Sequence, residues 1–234
     1  MENIKIVFVD IDNTLLDFDG YVRSCMKDGF RHFGIGVYEP WMYDVFTAEN
    51  NKLWNMIEEE RLDFAGLEKV RWNIVFEKLG FHFDGLVFEK YFRAYLNESA
   101  IPVEGSFDLL DSLKSKYVVC AASNGPYDQQ RHRLEIGGML KYFDHVYISE
   151  KIGFSKPSAE FFDFCLNDIN SKRTEPVSAN ECVVIGDSIT ADIKGALNYG
   201  MNAIFYDRDP AKNRSAALNG KNVITVTSLK DINL

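Results

Sequence analysis

The chain has 234 residues, 46% of them hydrophobic, with 18 Phe, 11 Tyr and a formal net charge of −9. That length suits a core domain with a smaller inserted module, and the composition excludes a disordered or fibrous chain. The negative charge, with no Lys/Arg cluster to overcome it locally, speaks against polymeric nucleic acid as a partner.

The first residues, Met-Glu-Asn-Ile-Lys, carry no signal-peptide profile, and no apolar run is long enough to span a membrane, so no membrane partner and a cytoplasmic location are expected. Residues 4–9 form a short β-rich run ending in Asp10, which reads as a buried strand that delivers carboxylates at its C-terminal end. From Phe18 the texture changes. Apolar residues recur at three- and four-residue spacings over Phe18–Phe33, Trp41–Ile57, Leu67–Leu79 and Leu86–Leu96, with breaks near Gly34, Gly36, Asp63 and Gly80. This predicts a run of helices without strands. The acidic run Glu58-Glu59-Glu60 reads as a solvated helix face.

After Pro102 and Gly105 the periods alternate: helix 106–115, strand 117–122, helix 127–136, strand 144–149, helix 158–168, strand 182–186, helix 190–199 and strand 202–206. Residues 222–226 read as a last strand, followed by a short helix with Ser228 as its N-cap. Strands separated by helices predict a doubly wound, Rossmann-like parallel α/β sheet. The catalytic core is expected to span residues 1–17 and 99–234, interrupted by an all-helical insertion over 18–98. Cys25, Cys120, Cys165 and Cys182 lack metal-type spacing and read as buried thiols.

In open parallel sheets, ligands bind beyond the carboxyl ends of the strands. Here those ends carry Asp10-Ile-Asp12-Asn13-Thr14, then Ser123-Asn124-Gly125, then Gly186-Asp187-Ser188 followed by Asp192. Lys156 precedes Pro157 on a loop entering a helix. Several carboxylates converging on one rim repel one another unless a cation resolves the conflict. Hard oxygen ligands suit magnesium. Taken singly, each residue has a bland role as a cap or a solvated charge; taken together, in this order, they predict a site.

These residues, Asp10-x-Asp12-x-Thr14, Ser123, Lys156 and Gly186-Asp187-x4-Asp192, resemble the four motifs of the haloacid dehalogenase superfamily. The helical insertion resembles its C1 cap. The resemblance implies a phosphomonoester hydrolase working through an aspartyl-phosphate: Asp10 as nucleophile and Asp12 as acid, then base. It implies magnesium held by Asp10, Asp12 through its carbonyl, and Asp187. Thr14, Ser123, Asn124 and Lys156 would bind the phosphoryl group, and Asp192 would orient Lys156 or the metal's waters. A dehalogenase is disfavoured because its counterpart of Asp12 is typically not an acid. A phosphomutase has no support in the residues, and a phospho-accepting receiver domain has a different motif order and no such insertion.

The segment from Asn51 to Arg61, with Arg71, Trp72 and Phe76, resembles the cap of house-cleaning pyrimidine 5'-nucleotidases. It implies a nucleoside monophosphate as substrate, with a phosphoglycolate or sugar phosphate as the alternative. Trp54, Arg71 and Trp72 are the candidate specificity residues. Trp41, Tyr43, Phe46, Trp54, Phe64 and Trp72 could stack a base, each such contact being worth roughly 1–3 kcal/mol, but aromatics at helical spacing are more often core. Either a monomer or a homodimer is compatible with the sequence.

Overall fold

The structure is a computed structural model that describes residues 3–59, 61–212, 218 and 223–234. Glu60 and Asn222, which fall within predicted segments, lie outside the described residues. The chain divides into two compact units, one of Met1–Asp17 with Ala100–Leu234, the other of Phe18–Ser99.

In the first unit, the described strands are β1 (Ile6–Val9), β2 (Val118–Ser123), β3 (His145–Ile148), β4 (Cys182–Gly186), β5 (Asn202–Tyr206) and β6 (Ile224–Val226). They form one sheet in the order β3-β2-β1-β4-β5-β6, parallel throughout. The doubly wound α/β sheet expected from the sequence is the fold observed. Side chains alternate between two cores: Val7 and Val9 join Val119, Ala121, Val183 and Ile185 on one face, Ile6 and Phe8 join Cys120, Ala122, Cys182 and Val184 on the other. Helices α5 (Ser106–Lys114) and α6 (Tyr127–Ile136) cover the first face through Leu109, Leu110, Leu113 and Leu134. The second face is covered by α8 (Ala159–Asn170) and α9 (Gly195–Tyr199), through Phe161, Phe162, Cys165 and Ala196. All four cysteines are buried and free, as their apolar surroundings suggested.

The chain builds outward from β1 in both directions, first to β2 and β3, then to β4 and beyond. The strand order therefore reverses beside β1, and a crevice is expected at the carboxyl ends of β1, β2 and β4. Residues paired in register, Val9 with Ala121 and with Ile185, bring those ends level.

The sequence predicts one helix over 190–199, but the segment opens as a wide π-helical turn, Ile189–Lys194, before α9. The amides of Asp192 and Ile193 both donate to the Ser188 carbonyl, each at 3.1 Å, and the Ser188 hydroxyl accepts from the Ala191 amide. Such a widened turn costs helix regularity and is common where a side chain must be re-aimed at a site. Here that side chain is Asp192. A further short helix, α7 (Ser149–Ile152), follows β3 and takes in the last residue of the predicted strand 144–149.

The second unit packs α1 (Phe18–Phe33), α2 (Trp41–Glu58), α3 (Phe64–Leu79) and α4 (Gly85–Asn97) around an aromatic core. Two of these start earlier than apolar periodicity alone suggests, because acids cap them. The Asp63 carboxylate accepts from the Gly66 amide at 2.7 Å, and Asp84 accepts from Leu86 at 2.8 Å. Gly80, at φ +72°, closes α3 in the left-handed conformation that a glycine adopts without strain.

Candidate active site

Beyond β1 the chain turns sharply, with the Ile11 carbonyl accepting from the amides of Thr14, Leu15 and Leu16. Asn13 takes a left-handed conformation, φ +60°, which Asn tolerates better than most residues. This turn places the Asp10 and Asp12 side chains in contrasting surroundings. Asp10 is buried; the Asp12 side chain remains about one-third exposed.

Lys156 sits beneath the rim, 1% exposed, with its ammonium donating to Asp10 (2.8 Å), Asp192 (2.6 Å) and the Ala122 carbonyl (2.7 Å). All three of its N–H bonds are thereby committed. In this arrangement Lys156 offers an incoming anion its charge rather than a free donor. Asn124 secures the same loop, its side chain donating to the Lys156 carbonyl and accepting from the Lys156 amide. That side chain is thus occupied in holding the loop.

Asp10, Asp187 and Asp192 bring one carboxylate oxygen each to within 4.8 Å of one another. Burial pushes the Asp10 carboxyl up to about 7; Lys156 offsets part of the rise, while Asp192 and Asp12 add to it. The Lys156 ammonium is driven above its ordinary value, since Asp10 and Asp192 together outweigh the burial that opposes its charge. Two of these carboxylates share the Lys156 ammonium, and with half-buried Asp187 beside them the cluster carries more negative than positive charge. Its all-oxygen donor set fits a hard dication such as magnesium.

Asp192 is held on both oxygens, by Lys156 and by the Ser188 amide at 3.0 Å. Gly186 makes this approach feasible, since a Cβ there would fall on the Asp192 carboxylate. Ser123 is buried at the end of β2, its hydroxyl accepting from the Gly125 amide and from Gln130. Thr14 is fully buried, and among the described residues its hydroxyl has no hydrogen-bond partner.

Three residues at this site escaped the sequence reading. Gln130 and Arg133, on α6, both contact the Asp12 carboxylate, at 2.6 and 2.7 Å. Arg208, in the loop after β5, donates to Asn13 and to Asp17 (2.6 Å), bracing the turn beyond β1. A signal for the first two was present. Residues 127–133, Tyr-Asp-Gln-Gln-Arg-His-Arg, have to cover a buried sheet face yet offer almost no apolar side chain.

The candidate specificity residues of the helical unit fare differently. Trp72 is fully buried in that unit's own core, in ring contact with Phe46, Phe76, Phe88 and Phe92, so it presents no surface to a ligand. Arg71 is 3% exposed, paired with Glu89 and hydrogen-bonded to Asn50, its guanidinium 4.5 Å from the Phe92 ring centre. Both side chains stand on the inner face of the helical unit. Trp54 alone of the three keeps part of its surface accessible, with its ring against Phe64.

An acid cluster at the switch point of a parallel sheet marks a ligand site, and comparison with known proteins gives the family. The family model for haloacid dehalogenase-like hydrolases matches residues 4–200, and the chain belongs to that family. It is 30% identical to pyrimidine 5'-nucleotidase PynA of Streptococcus pneumoniae, over 91% of this chain and 88% of the relative. To HAD-hydrolase YfnB of Bacillus subtilis it is 28% identical, with the same coverage. Glyceraldehyde 3-phosphate phosphatase of Methanothermobacter thermautotrophicus is 27% identical over 98% of this chain and 96% of its own length. The crystal structure of YfnB, described as bound to magnesium, superposes with a TM-score of 0.79 at 27% identity, covering 89% of each chain.

Proposed function

We propose that this hydrolase is a magnesium-dependent phosphomonoesterase that works through an aspartyl-phosphate on Asp10, with nucleoside 5'-monophosphates as substrates. The observation that carries the reading is the contrast between two aspartates two residues apart. Asp10 is buried against Lys156 and the acid cluster, whereas Asp12 is partly exposed and held by Gln130 and Arg133.

A carboxylate oxygen of Asp10 attacks phosphorus, forming an acyl phosphate as the bond from phosphorus to the ester oxygen breaks. Asp12 gives its proton to the departing alkoxide. It then takes a proton from water as the water attacks phosphorus, which releases phosphate and restores the Asp10 carboxylate. Asp10, the Asp12 carbonyl and Asp187 would hold the magnesium ion, which supplies charge neutralisation at the phosphoryl oxygens. Asp192 fixes the Lys156 ammonium against Asp10. Ser123, the amides that follow it and the field of Lys156 favour the phosphoryl anion. Support for the nucleotide comes from the similarity to PynA, and its rival, a phosphosugar, from the similarity to the glyceraldehyde 3-phosphate phosphatase.

The roles of the two aspartates separate in rapid-mixing experiments. Asp10→Asn abolishes turnover of every phosphomonoester, whatever the leaving group. Asp12→Asn loses about 10²–10⁴-fold in single-turnover cleavage of a nucleotide, and much less in the burst of nitrophenolate from an aryl phosphate, which departs without protonation. Equal losses on both substrates would remove Asp12 from the acid role. A burst surviving in Asp10→Asn would remove Asp10 as nucleophile.

A further inference from the structure

We infer that Gln130 and Arg133 are positioning residues that hold the Asp12 carboxylate in one orientation and tie it to Ser123; the inference rests on the acid-base reading of Asp12. The two side chains stand three residues apart on α6 and so share one face of the helix. Both are 1% exposed, while the carboxylate they grip is about one-third exposed on a turn. Arg133 Nη1 donates to Asp12 Oδ1 (2.7 Å) and to Gln130 Oε1 (2.9 Å). Gln130 Nε2 donates to Asp12 Oδ2 (2.6 Å) and to Ser123 Oγ (2.8 Å).

This network has a single consistent orientation. An arginine can only donate, so the Gln130 atom facing Arg133 must be its carbonyl oxygen, and its NH2 group must then face Asp12 and Ser123. Both amide hydrogens and the amide oxygen are thereby used. Arg133 fixes Gln130, and Gln130 sets the distance between an oxygen of the acid and the hydroxyl beneath the phosphoryl site. A plain packing role on this sheet face would be met by leucine, at no desolvation cost. Burying a guanidinium instead calls for a carboxylate partner, and Asp12, the residue assigned to proton transfer, serves as one. A carboxylate on a turn would otherwise sample several rotamers, and displacement by about 1 Å from a productive geometry can cost on the order of 10²-fold in rate.

The experiment compares Arg133→Met, Arg133→Lys and Gln130→Leu with wild type in single turnover, using a nucleoside monophosphate and a nitrophenyl phosphate. Each is repeated in the Asp12→Asn background, with magnesium affinity measured by direct binding titration. Positioning through Asp12 predicts a loss of about 10–100-fold on the nucleotide, a much smaller loss in the nitrophenolate burst, and unchanged magnesium affinity. It also predicts little further loss when the variants are added to Asp12→Asn, and partial recovery in Arg133→Lys. Equal losses on both substrates, or losses that multiply with Asp12→Asn, would overturn it in favour of a structural role. If Arg133→Met does not fold, Gln130→Leu, which keeps the charge pair, reads the same contrast. An Asp12→Asn enzyme that loses equally on both substrates overturns the acid-base reading itself, a result visible before any α6 variant is made.

Discussion

The Asp10 carboxyl is held near a pKa of about 7 chiefly by burial, in a cluster that also contains Asp187 and Asp192. A carboxyl whose pKa is higher folded than unfolded binds its proton more tightly in the folded state. Its contribution to stability is complete below the unfolded value, near 4, and is lost as pH rises through about 7. In a chelator, wild type should therefore lose stability over that window, and Asp10→Asn should not. At pH 8 the variant is expected to be the more stable by roughly 1–3 kcal/mol, given about 1.4 kcal/mol per pKa unit and partial relaxation of the site. Denaturant unfolding at pH 5 and pH 8 checks this; equal stabilities at pH 8 would contradict it. By the same linkage, magnesium binding near neutrality should release a proton from Asp10. Calorimetry in two buffers of different ionisation enthalpy would show the difference in apparent heat. Calcium, with looser and higher coordination, should support turnover poorly, and full activity in a thorough chelator would remove the metal from the mechanism.

Strand β4 ends at Gly186, where a side chain would occupy the space of Asp192, and the π-helical turn that follows carries Asp192 back against Lys156. Gly186→Ala should therefore lower turnover by 10-fold or more and weaken magnesium binding while the far-UV circular dichroism stays native. Wild-type metal affinity in that variant would show that Asp192 is not held through this contact. In the helical unit, Asp63 caps α3, and Asp63→Ala should cost about 0.5–2 kcal/mol in thermal or denaturant unfolding. Most elements were legible in the sequence because their periods are clean: β4 and β5 fall on the predicted residues, and α1 and α6 also match. The early starts of α3 and α4 were not, since a cap acts through a side-chain hydrogen bond that apolar spacing does not register. The π-helical turn was hidden for a related reason: the side chain it carries, Asp192, meets Lys156, 36 residues earlier in the chain, and local spacing does not register that contact.

Substrate choice is a property of the whole molecule. Nucleoside monophosphates, pyrimidine ones above all, are expected to exceed triose and hexose phosphates and phosphoglycolate in kcat/KM, since binding energy from a remote base can be used to orient the phosphate. A turnover panel with magnesium supplied decides this, and a phosphosugar well above every nucleotide would retain the phosphatase and discard the nucleotidase. Trp72→Ala should destabilise the helical unit by about 3–5 kcal/mol, because the ring lies within its core. The sequence alone determined the parallel α/β sheet, the helical insertion and the placing of Asp10, Asp12, Ser123 and Asp187 at strand ends. Those follow from residue periods and from the rule that strand ends carry the chemistry. Only the tertiary structure decided that Arg71 and Trp72 face inward, that Lys156 has no free donor, and that Gln130 and Arg133 grip Asp12. A side chain's partners depend on which distant segments fold against it, and local spacing carries no record of them.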